Sequence, residues 1–124
     1  MAYLTNEALI VGSEYETTNL PFADNGLPFV AETLVTTDDM IANNPATVKA
    51  FLKAEIMGWT DLVNDPEEGA RLAYEEYGAD LGLDPDTSTL GSLAQVDLVV
   101  TDETEANGLF TISDELQAAT IESL

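Results

Sequence analysis

The sequence predicts an α/β fold, with short strands ahead of a mostly helical second half. Three observations lead there. Residues 17–22 and 30–36 are rich in β-branched and apolar types and are set off by turn signals. Residues 44–78 carry two helix starts and an apolar stripe of helical period. A chain of 124 residues with 45% hydrophobic content is long enough for one domain around one core.

In chain order, Ala2-Tyr3-Leu4 reads as the end of a strand, and Asn6 as the cap of a short helix over 7–14, weakened by Gly12. A strand is expected over 17–22. Ala23-Asp24-Asn25-Gly26 is a turn, which Pro28 extends. Val30, Glu32, Leu34 and Thr36 would share one face of the next strand, with Ala31, Thr33 and Val35 on the other. Thr37 then caps a brief helix that Asn43-Asn44 stops.

Asn44 caps the next helix, and Pro45 suits its first position, where a missing N–H costs nothing. Val48, Phe51, Leu52, Ile56, Trp59, Leu62 and Val63 form its apolar stripe, so Trp59 is expected in the core. Asp65-Pro66 starts another helix. Glu68 stands at the capping-box offset, and Glu67 and Glu68 set negative charge against the helix dipole. Ala70, Ala73, Tyr74 and Tyr77 are its expected buried face and Gly78 its C-cap. After a connector over 79–83, Asp84-Pro85 begins a helix that would bury Leu90, Leu93, Ala94 and Val96, although Gly91 weakens it. Residues 98–100 read as a strand or a buried helix end, and 101–108 as an acidic loop. Ser113 caps a last helix with Leu116, Ala119, Thr120 and Leu124 inward. Two or three strands make a marginal sheet. With an abrupt start and a last helix lacking a stop signal, the sequence reads as a piece of a larger fold.

Charge bounds the function. Asp and Glu number 24 against 3 basic residues, for a net −21, and the cations are Lys49, Lys53 and Arg71. Such a chain repels nucleic acid and anionic headgroups. The acids are scattered, which suits a solvating, salt-adapted surface; a surface for cations or a basic partner is the alternative. Cys and His are absent, which excludes zinc sites built from them and His-dependent triads. There is no apolar run of about 18 residues to insert in a membrane, and the first residues lack the pattern of a secretory signal. Asp84, Asp86 and Ser88 fail as a calcium loop: Pro85 follows the first ligand, Thr89 replaces the required glycine, and Gln95 stands where a bidentate Glu belongs. Asp102, Glu103 and Glu105 read as a solvated loop, and Tyr74 and Tyr77 as core or rim.

An ordered set of motifs resembles a known family. Asn44-Pro45-Ala46-Thr47-Val48-Lys49-Ala50-Phe51-Leu52-Lys53-Ala54 leads through Gly58-Trp59 into Asp65-Pro66-Glu67-Glu68-Gly69-Ala70. This course is similar to the helical region of the nitrate/sulfonate/taurine and thiamine-pyrimidine solute-binding proteins of ABC importers, the periplasmic binding protein type 2 group. Tyr3-Leu4-Thr5-Asn6-Glu7 resembles the start of that family's ligand-facing helix. Phe22-Ala23-Asp24-Asn25-Gly26 resembles one of its turns, with Asn25 in place of an aromatic residue. Leu34-Val35-Thr36-Thr37 is similar to one of its strands. Thr101-Asp102, Asn107-Gly108-Leu109 and Asp114 follow its later course, with aromatic residues there reduced to Phe110.

The resemblance implies a periplasmic-binding-protein-like lobe. Residues 1–124 would form the C-terminal portion of a two-lobed domain that closes on a small solute and delivers it to ABC permease subunits outside the cytoplasm. It implies no cofactor and no enzymatic activity; the pyrimidine synthesis of fungal relatives uses histidine, which this chain lacks. Tyr3, Thr5, Asn6 and Glu7 become the candidate ligand-binding residues. Tyr3 would stack on a planar ring, while Asn6 and Glu7 would hydrogen-bond ring nitrogens or an amino group. The plainer role of Asn6 and Glu7 is to cap the following helix. The negative charge of Glu7 opposes a bare anion, so a thiamine-pyrimidine-like heterocycle fits better than nitrate or a sulfonate. An acidic structural or interaction domain without transport is the alternative, and a carboxylate-dependent enzyme a third option.

Overall fold

Helix-start chemistry sets the architecture. The computed structural model of the chain describes residues 2–28, 30 and 32–123. The expectations placed on Ala31 and Leu124 lie outside them. Seven α-helices occur among the described residues: α1 (Glu7–Glu14), α2 (Asp38–Asn43), α3 (Pro45–Asn64), α4 (Pro66–Arg71), α5 (Pro85–Val99), α6 (Asp102–Asn107) and α7 (Asp114–Glu122). One π-helical turn, Leu72–Tyr77, continues α4 directly, and short 3-10 turns lie at Ala23–Asn25 and Ala79–Leu81.

The caps explain most of the boundaries. Thr37 Oγ1 accepts the Met40 N–H at 3.1 Å, Asp65 Oδ1 that of Glu68 at 3.0 Å, Asp84 Oδ1 that of Thr87 at 2.8 Å and Ser113 Oγ that of Leu116 at 3.1 Å. Each satisfies a donor that the first helical turn leaves without a partner. Asn6 and Asn44 hold N-cap positions without a side-chain cap bond, and Pro45 alone marks the start of α3 chemically. Glu68 does not complete a capping box, because its carboxylate binds Arg71 instead.

The expected α/β fold is corrected. The described residues contain no strand: 16–21 and 32–37 run as irregular backbone, and residues 98–100 are the end of α5 and its cap. β-Propensity is realised only where a second strand completes the hydrogen-bond ladder, and these segments have no such neighbour. The expected loop over 101–108 is also corrected. It holds α6, where Thr101 and Thr104 cap each other reciprocally and Asp102 and Glu103 lie in the first turn, favourable to the helix dipole.

Helices α3, α4 and α5 pack together, with α4 and its π turn laid along α5. Helix α1 rests on α5, and α2 on α3. Among the described residues, α6 and α7 make no comparable packing with this group. The core is thin. Only Ala70, Gly78, Gly91 and Ser92 are buried among the described residues. The predicted buried faces are therefore too generous. Phe51 is 56% exposed and Tyr77 85%, Leu90 and Leu93 are exposed, and Trp59 is half-buried beside a shallow groove with Ala54, Gly58 and Leu62. The accessible surface is 9467 Å² for a 13.3 kDa chain, against about 6,500 Å² expected of a folded monomer of that mass.

Candidate functional site

A cleft of about 620 Å³ opens where the turn before α1 meets α4 and α5. Its first wall carries Tyr3, Thr5, Asn6 and Ile10. The turn is set by local hydrogen bonds: the N–H groups of Asn6 and Ala8 both donate to the Tyr3 carbonyl at 3.2 Å. Glu7 Oε2 accepts the Tyr3 N–H at 2.8 Å, and this bond holds the Glu7 carboxyl below its ordinary range. Of the four predicted residues, Tyr3, Thr5 and Asn6 line the cleft, while Glu7 sits behind them and fastens the turn.

The opposite wall is α5. Asp84, Ser88, Ser92 and Gln95 recur at helical spacing along its cleft side, with Gly91 beside them. This face was missed by looking for an apolar stripe through Leu90, Leu93 and Val96. The signal was present instead as a stripe of small and hydroxyl residues of the same period. Gly91 has a steric reason to be glycine: a Cβ there would lie 2.7 Å from the Thr5 carbonyl oxygen, so the turn and α5 meet at backbone contact. The floor comes from Leu62, Gly69, Ala70 and Ala73.

The cleft is electronegative. Glu32 and Asp84 line it, and none of Lys49, Lys53 and Arg71 does. The Thr87 backbone N–H and hydroxyl hold the Asp84 carboxyl below its ordinary range, so it is charged at neutral pH. Arg71 is engaged by Glu68 at 2.7 Å, Glu75 at 2.9 Å and Glu76 at 3.2 Å. Those carboxylates raise the guanidinium pKa further, and Arg71 pulls that of Glu68 down. No group of three or more His, Cys, Asp or Glu suited to a metal occurs among the described residues, and none of their helices is long and apolar enough to cross a membrane.

No curated protein and no solved structure matches the chain significantly. The family model described as NMT1/THI5 like matches residues 1–69, a span holding the Tyr3–Asn6 wall and the cleft-floor residues Leu62 and Gly69. The chain belongs to the NMT1/THI5-like family, and that membership supports a solute-binding role of the periplasmic-binding-protein type.

Proposed function

We propose that this chain forms one jaw of an extracytoplasmic solute-binding protein serving an ABC importer, and that it takes a small neutral or cationic nitrogen heterocycle. The observation that carries this reading is the cleft itself: an aromatic and amide-bearing turn faces a polar helix across about 620 Å³, with carboxylates and no cation in its lining. Tyr3 supplies a ring face. Thr5, Asn6 and the α5 hydroxyls supply hydrogen-bond partners. Sulfonate and nitrate would meet Glu32 and Asp84 without compensating charge, so they rank below an aminopyrimidine.

Residues 1–124 serve in this proposal as the C-terminal portion of a two-lobed domain. The surplus of accessible surface supports this, since Leu20, Val35 and Phe51 stay largely exposed outside the cleft. A second lobe would cover that surface, and hinge closure would bury the ligand before transfer to the permease. The protein binds its solute and does not transform it. Ligand-induced thermal shift tests the reading: aminopyrimidine should raise the melting temperature while taurine and nitrate leave it unchanged. The opposite order would contradict it.

A further inference from the structure

Ser92 is the polar side chain that the fold leaves unsatisfied. It is 8% exposed, and its Oγ is covered and has no hydrogen-bond partner among the described residues. A buried hydroxyl in that state costs stability, so its persistence calls for a partner supplied from elsewhere. Helical hydroxyls ordinarily donate to the carbonyl four residues back. In this chain Thr60 does so to Ile56 at 2.6 Å, Thr89 to Pro85 at 2.8 Å and Thr120 to Leu116 at 2.8 Å. Ser92 does not, although Ser88 stands at the required spacing.

The residue lies in the cleft wall, next to the point where Gly91 admits the Thr5 carbonyl. One χ1 rotation between staggered positions redirects the hydroxyl. Acceptors are already plentiful around the cleft, in the carboxylates of Glu32 and Asp84. Among the donors of the lining, Ser92 Oγ is the one that is fully covered and has no partner among the described residues.

We propose that Ser92 is a specificity-determining residue of this cleft, its hydroxyl donating a hydrogen bond to a ring nitrogen of the bound heterocycle. The proposal rests on the solute-binding reading of the same cleft and adds a residue from α5, beyond the span that the family model matches. Ring nitrogen is thereby selected over ring carbon, because an all-carbon ring leaves the Ser92 hydroxyl unpaired.

The test compares the wild-type chain with Ser92→Ala, using aminopyrimidine and aniline, which keeps the ring and amino group but has no ring nitrogen. Ser92→Ala should weaken aminopyrimidine about five- to tenfold, the worth of one hydrogen bond, and leave aniline unchanged. Without ligand, Ser92→Ala should melt at a higher temperature than wild type, since an unsatisfied hydroxyl has been removed. Equal aminopyrimidine affinity in the two proteins would overturn the role of Ser92 and leave the cleft reading standing. A lower ligand-free melting temperature would show that the hydroxyl serves the fold, and would also overturn it. A wild-type chain that binds neither ring would overturn the cleft reading and this proposal together.

Discussion

Gly91 and Gly58 are both helical glycines, yet a methyl group added to each meets different surroundings. At Gly91 it meets the Thr5 carbonyl oxygen at 2.7 Å, while at Gly58 nothing lies within 4 Å. Gly91→Ala should push the Tyr3–Asn6 turn off α5 and destabilise the protein by about 1–3 kcal/mol. Gly58→Ala should stabilise it by about 0.5–1 kcal/mol, because alanine gives up less backbone freedom in an exposed helix. Chemical denaturation of both variants measures the contrast. The same residues show what was legible. Tyr3, Thr5 and Asn6 stood out because the segment Tyr3-Leu4-Thr5-Asn6-Glu7 resembles the start of the family's ligand-facing helix. Ser92 was silent because an interior helical serine ordinarily satisfies itself, and only coordinates reveal that this one does not.

Helix starts were readable because a cap is local: Thr37, Asp65, Asp84 and Ser113 each need only a backbone N–H three residues on. The expected strands failed for the converse reason, since a strand depends on a partner that no local pattern specifies. The acids of 101–108 hid α6, because charge reads as loop unless its place in the first turn is weighed. Thr101→Ala removes the cap of α6 and should cost about 1 kcal/mol locally. Amide exchange should accelerate in α6 and stay unchanged in α3, α4 and the body of α5, since among the described residues α6 touches α5 only at the last residue of α5, where Thr104 Oγ1 donates to the Val99 carbonyl at 2.6 Å. Asp84 adds a pH dependence. Its folded pKa lies below the unfolded value of 3.8, so its contribution is present above that value and is lost as pH falls through the folded one. The melting-temperature gap between wild type and Asp84→Ala should be widest near neutral pH and close as pH falls through the lowered folded value.

At the scale of the whole molecule, a net charge of −21 on a thin core makes self-repulsion the dominant long-range term. Salt shortens the screening length from about 10 Å at 0.1 M to about 3 Å at 1 M. The Arg71 cluster loses a little attraction under the same screening, but three local ion pairs are outweighed by repulsion among 24 scattered acids. The melting temperature should therefore climb from low to molar salt, and a flat or falling curve would refute the solvating-surface reading. Charge also sets the ligand class, since an electronegative cleft without a lining cation favours a nitrogen base over an oxyanion.

Where a nitrogen base binds tests this account most directly. In an amide NMR titration of the isotope-labelled chain with aminopyrimidine, signals of Thr5, Asn6, Gly69, Ser88 and Gly91 should move together and saturate at one concentration, while those of α6 and α7 stay in place. Perturbation confined to α6, α7 or the Trp59 groove, or no perturbation at all, would contradict it.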